Sequence, residues 1–156
     1  MGTNLACCTL DGEMTMSIGS ILNGKKPVIT VANTTTVREI AALLYDHRIG
    51  AVLVTDGGII LGIVSERDIV AGLHRHGPDV LDTAAGVVMT APVVTVSPAE
   101  SIVAAMGVMT NRRIRHLPVV ECGELIGLVS IGDLVKRRIE DAEREAHALQ
   151  DYITAT

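Results

Sequence analysis

Two segments, Gly62-Ile63-Val64-Ser65-Glu66-Arg67-Asp68 and Gly127-Leu128-Val129-Ser130-Ile131-Gly132-Asp133, set a serine and an aspartate three residues apart behind an aliphatic run. If a strand ends at the serine and a helix begins there, this spacing acquires a chemistry. A helix N-terminus offers unpaired N–H groups and a partial positive charge, which suits an anion. The serine hydroxyl can donate to a phosphate or sugar oxygen. The aspartate, one helical turn on, can accept two hydrogen bonds from a vicinal diol such as a ribose. The same residues also spell a plain N-cap, in which Ser and the acid at +3 satisfy the helix's own first donors. Spacing alone leaves both readings open.

The elements that must position these residues come from a duplication. Laid over itself at an offset of 65, the chain matches residues 27–70 with 92–135 without a gap. Pro27, Val28, Thr30, Val31, Arg48, Ile49, Val54, Gly58, Gly62, Val64, Ser65, Asp68 and Val70 all equal their partners. Each copy opens on a β-branched run, Pro27 to Val31 or Pro92 to Val96, which reads as a strand. Val37, Ile40, Ala41, Leu44 and Ile102, Ala105, Met106, Met109 follow at i, i+3, i+4, i+7, one face of a helix. Thr36 with Glu39, and Ser97 with Glu100 after Pro98, read as capping-box starts. Second strands cover 51–55 and 117–120, and third strands 59–64 and 124–129, joined by turns at Gly57-Gly58 and Cys122-Gly123. Ser65 and Ser130 then open second helices. The expected domains are a flexible leader over 1–16, one repeat over 17–76, a linker over 77–81, a second repeat over 82–139 and a helical extension over 140–156. Asp82 to Met89 is expected to form a short helix leading into the second copy.

Composition narrows the chemistry. Thirteen Lys and Arg against eighteen Asp and Glu leave a net charge of −5, which disfavours general nucleic-acid binding. Two Tyr, no Phe and no Trp exclude an aromatic platform for bases and require an aliphatic core. No apolar stretch is long enough to span a membrane. The three cysteines have no C-x-x-C spacing, so they read as reduced thiols in a cytoplasmic protein rather than a zinc site or disulfide framework. His74 and His76 suit the end of a helix, and no third ligand accompanies them as a metal site. No nucleophile, base and orienting acid fall into a catalytic arrangement, and the chain reads as a non-enzyme.

The doubled strand–helix–strand–strand–helix unit resembles a tandem pair of CBS domains, the cystathionine-β-synthase-type regulatory module. The two Gly-x-Val-Ser-x-x-Asp segments carry the resemblance, with His116-Leu117-Pro118-Val119-Val120 and Val88-Met89-Thr90, over roughly residues 18–140. It implies an α/β (α+β) fold of two pseudo-symmetric repeats packed through their sheets, with adenosine-bearing ligands in clefts between them. AMP is the first expectation, with ADP, ATP, NAD(H) and S-adenosylmethionine as others. The family pattern puts a ribose on Asp133 and Asp68, with Ser130 and Ser65 beside the sugar or phosphate. Ile49, Gly50 and Ala51, and Ile114, Arg115 and His116, would line the clefts, while the backbone at Ile29, Thr30, Val94 and Thr95 would touch the base edge. Arg112, Arg113, Arg115 and His116 stand where the first copy has His47, Arg48, Gly50 and Ala51. The second copy's site is therefore expected to hold phosphates more tightly, with Arg67 supporting the first.

From Asp133 a heptad-like stripe continues through Val135, Ile139, Ala142, Ala146, Leu149 and Ile153. This extended C-terminal helix is expected to pack against a second subunit in a homodimer, with Glu140 and Arg144 as a weak i, i+4 pair. The reading is a regulatory module that binds an adenine nucleotide and signals by conformational change to an unidentified protein. The alternative is a ligand-independent homodimeric scaffold in which both Ser–Asp pairs are caps.

Overall fold

The computed structural model describes residues 16–155. The expected leader lies outside them, except for Met16, whose carbonyl accepts from Ile102 N at 3.0 Å. Two compact units form, one of Lys26–Thr95, the other of the described residues up to Lys25 together with Val96 onward. Each is taken by itself below.

In the first unit, β1 (Thr30–Val31) runs parallel to β2 (Ala51–Asp56), which pairs antiparallel with β3 (Ile59–Ser65). The turn between β2 and β3 places Gly57 at φ 54° and Gly58 at φ 86°, the left-handed conformation that a two-residue hairpin needs. Helix α2 (Val37–His47) starts with the capping box read from Thr36 and Glu39. Helix α3 (Glu66–His76) follows β3 directly. The core is aliphatic throughout: Val31, Val37, Ile40, Leu44, Val52, Val54, Val64, Ile69 and Ala85. Residues 77–81, expected as a linker, belong to a 3₁₀ turn over Gly77–Asp82 packed on α2 and α3. Gly72 permits this closeness, since a Cβ there would stand 2.8 Å from the buried Val80 Cγ2.

The short helix expected over 82–89 is confined to α4 (Ala85–Val88), and it packs against α2, α3 and β3 of the first unit. Beyond it, Thr90 pairs with Ile63 on β3 through N–H···O bonds of 2.8 and 3.0 Å. Gly62 makes room for this strap: a Cβ there would lie 2.5 Å from Met89 Sδ and 3.0 Å from Thr90 O.

The second unit repeats the pattern with α5 (Ile102–Arg112), β4 (His116–Glu121), β5 (Glu124–Ser130) and α6 (Ile131–Thr154). Its opening strand, expected over Pro92–Val96, shrinks to one parallel bridge between Val96 and Val119. Pro118 explains the loss. In the first unit Leu53 N donates to Ile29 O at 3.3 Å, and the residue 65 positions on is Pro118, which has no N–H to give. The cap of α5 also differs from expectation. Ser101, not Ser97, accepts from Ala104 N, while Ser97 accepts from Ala99 N in the turn before it. Ser101 is the repeat partner of Thr36, and Ala104 in place of Glu39 leaves the box half made.

Residues 17–25, expected as the start of the first repeat, belong instead to this second unit. Helix α1 (Ile18–Leu22) packs against β5 and α6, with Ile18 N and Gly19 N bonded to Glu100 O and Pro98 O at 2.9 Å each. Its Leu22 methyls sit where a Cβ on Gly127 would be, as Met89 does at Gly62. Cys122 is disulfide-bonded, contrary to the expectation of reduced thiols; Cys7 and Cys8 lie outside the described residues. On α6, Arg144 turns from the expected Glu140 carboxylate to the buried Asp141, at 2.7 Å, which Arg137 also holds at 3.1 Å.

Candidate functional site

Each Ser–Asp pair sits where the sequence put it, at a strand-to-helix junction. Ser65 ends β3 and caps α3; Ser130 ends β5 and caps α6. Both backbones are extended at the serine, φ −109° and −101°, and turn helical at the next residue. The carboxylate at +3 turns back to the serine's own N–H, while the first helical N–H groups, Glu66 N and Ile131 N, donate to Gly50 O and Arg115 O.

The four side chains close on one another. Asp68 Oδ2 accepts from Ser65 N and Ser65 Oγ at 2.7 Å each, and Ser65 Oγ accepts from Asp68 N at 3.4 Å. In the second copy the corresponding distances are 2.8, 2.9 and 3.2 Å. These are capping boxes, so the capping half of the sequence reading is realised in both copies. The serine hydroxyls spend their proton on the aspartate.

The second bonds of the two carboxylates differ. Thr90 Oγ1 donates to Asp68 Oδ1 at 2.9 Å. Lys25 Nζ donates to Asp133 Oδ2, and also to Leu128 O at 3.0 Å. All of Asp133's hydrogen bonds among the described residues therefore fall on Oδ2, leaving Oδ1 without one. Burial pushes the Asp133 carboxyl up, but Lys25 and the two Ser130 donors outweigh it and hold the pKa below the ordinary value. Lys25 was not singled out in the sequence, and Thr90 entered only as part of the Val88-Met89-Thr90 run, not as a site residue. Their signal was there, since they stand 65 residues apart, just ahead of the matched stretches.

Within the first unit the neighbours named from sequence do converge. Ala51 pairs with Ser65 across the ladder, Gly50 O accepts from Glu66 N at 3.1 Å, and Ile29 O takes the Leu53 bond beside Thr30. Ile49 N donates to Leu44 O at 3.0 Å as α2 ends, and Arg67 is exposed in the first turn of α3. Within the second unit His116 pairs with Ser130, Arg115 O accepts from Ile131 N at 2.8 Å, and Ile114 N donates to Met109 O at 3.0 Å. Arg115 is exposed and His116 half-buried. Arg112 ends α5 and Arg113 caps it at φ 54°. Val94 and Thr95, expected beside the base, fall at the end of the first unit and not in the second.

Among the described residues no His, Cys, Asp or Glu cluster could hold a metal ion, and no helix is long and apolar enough to cross a membrane. The arrangement stabilises both helix starts and leaves Asp133 Oδ1 without a hydrogen bond among the described residues.

Known proteins supply the context for this geometry. A mitochondrial CBS domain-containing protein of Arabidopsis thaliana is 34% identical over 123 residues, covering 76% of this chain; the match spans 60% of that protein's own length. The crystal structure of a CBS-domain containing protein from Agrobacterium tumefaciens is 40% identical with a TM-score of 0.76, covering 78% of this chain and 98% of that one. A CBS domain protein from Pyrobaculum aerophilum, solved in complex with AMP, is 30% identical with a TM-score of 0.68, covering 76% and 89%. The CBS domain profile itself matches twice, over residues 18–75 and 84–140. With two copies of a helix–strand–strand–helix unit, the first opened by a full strand and the second by a single bridge, that each bring a serine–aspartate pair to a helix start, the chain belongs to the CBS domain family as a tandem pair.

Proposed function

We propose that this chain is a non-catalytic regulatory module that binds an adenosine nucleotide at its serine–aspartate helix starts. The observation that carries the reading is the Asp133 carboxylate at the start of α6, whose hydrogen bonds among the described residues all fall on Oδ2, with the backbones of Arg115 and His116 joined to Ile131 and Ser130 at that helix start. A ribose hydroxyl can donate to Oδ1, and a phosphate gains from the helix end and the Arg115 guanidinium. AMP is the nucleotide we assign, in keeping with the Pyrobaculum aerophilum relative; ATP, ADP, NAD(H) and S-adenosylmethionine share its adenosine. Aliphatic side chains around Ile49 and Ile114 flank the base in this reading. Binding alters the partner protein only to the extent that the nucleotide prefers one conformation over another. We place the protein in the cytoplasm as a homodimer, whose contact is the α6 stripe of Val135, Ile139, Leu149 and Ile153, all exposed on this chain.

The capping boxes favour a second reading, in which the same four residues serve α3 and α6 alone and the chain is a ligand-independent scaffold. Thermal unfolding with AMP, ATP, NADH and S-adenosylmethionine separates the two. A ligand at 100 times its Kd stabilises the native state by about 2.7 kcal/mol, which raises the midpoint by several degrees. The nucleotide reading expects that rise with wild type and its loss in Asp133→Ala combined with Asp68→Ala. No rise with any of the four leaves the scaffold. Sedimentation velocity on the same samples reads the dimer.

A further inference from the structure

The two copies hold their aspartates with different chemistry at equivalent positions, a neutral hydroxyl in the first and a charge in the second. Thr90 gives Asp68 a neutral hydroxyl; Lys25, 65 residues earlier, gives Asp133 an ammonium. That ammonium is held at two points, by the carboxylate and by the main-chain carbonyl of Leu128. Helix α1 delivers it, because Leu22 fills the space above Gly127 and the chain turns back at once, Lys25 N donating to Leu22 O at 3.1 Å. The geometry points to Lys25 as a built-in competitor for the sugar at the second copy's site: a nucleoside must displace the ammonium from Asp133 before the carboxylate can take both hydroxyls of its diol. The inference rests on the nucleotide reading above. It makes the two sites unequal, since a ligand at Asp133 must release a charged donor carried by the segment after α1 and a ligand at Asp68 only a neutral hydroxyl.

The pair is partly exposed, with side-chain exposures of 32% and 30%, so its strength belongs to the surface range and its removal to a change of about two- to fivefold in affinity. The probe is adenosine, which carries the ribose without a phosphate, so that loss of the Lys25 charge is not confounded with loss of attraction for an anion. AMP is titrated in parallel. Isothermal titration in an Asp68→Ala background isolates the second site. Lys25→Met and Lys25→Gln are both expected to tighten adenosine about two- to fivefold, and added salt is expected to bring the Lys25 form toward them by screening the pair. A carboxyl NMR titration without ligand adds an independent readout, in which Asp133 titrates higher in either variant. If AMP binds but the Lys25 variants leave adenosine affinity unchanged, or weaken it, the competitor role is overturned while the nucleotide reading stands. An Asp133 titration unmoved by Lys25→Met also overturns it. If neither ligand binds any form, the nucleotide reading fails and takes this inference with it.

Discussion

Replacing Asp68 tests whether the residues proposed to hold a ligand also hold the fold. In the structure Asp68 accepts three hydrogen bonds: Ser65 N and Ser65 Oγ at 2.7 Å and Thr90 Oγ1 at 2.9 Å. Alanine removes the acid half of the capping box, a negative charge in the first helical turn that contributes about 0.3–1 kcal/mol. It also leaves the half-buried Ser65 N–H without its acceptor, a penalty toward the low end of about 1–3 kcal/mol. Thr90 Oγ1 is exposed and can turn to water. The two effects add, so about 2 kcal/mol is expected. For a chain of this length each kcal/mol moves the midpoint by about 2–4 °C, giving a fall of about 4–8 °C in a thermal melt followed by circular dichroism. Asp68→Asn keeps an acceptor oxygen but loses the charge at the positive helix end, so it should fall about half as far. An Asp68→Ala midpoint within about 1 °C of wild type would refute the capping account, as would an asparagine variant less stable than alanine. The ligand experiment must accordingly compare each variant's shift with nucleotide, not its absolute midpoint.

Two further perturbations follow from packing and charge. Gly62→Ala should destabilise by about 1–3 kcal/mol, because the bridged Thr90 carbonyl, 3.0 Å from the new Cβ, cannot retreat as Met89 can. Gly107→Ala, in mid-helix with nothing within 4 Å of its Cβ, should stabilise by up to about 1 kcal/mol; equal midpoints for the two variants would contradict the packing described. Because the Asp133 pKa is lowered on folding, its contribution is present above the unfolded value of about 3.9 and is lost as pH falls through the folded value. The stability gap between wild type and Asp133→Asn, measured by urea unfolding, should therefore shrink progressively as pH falls below about 4; a constant gap would disprove it.

Much of this protein was legible in the order of its residues. The duplication, the helix faces, the hairpin turns at Gly57-Gly58 and Cys122-Gly123 and the capping boxes at Ser65 and Ser130 are local patterns. Their physics is contained in a few consecutive residues: a 3.6-residue period, a positive φ, a side chain returning to a nearby N–H. Ser101 and the effect of Pro118 were legible too, once each copy is read against the other. Tertiary structure alone decided what no local pattern encodes, namely that α1 folds with the second copy and α4 with the first. Gly62 and Gly127 announce that something must approach closely, but not which segment does. That choice depends on shape fit and chain reach across dozens of residues, and it is this docking that brings Thr90 to Asp68 and Lys25 to Asp133.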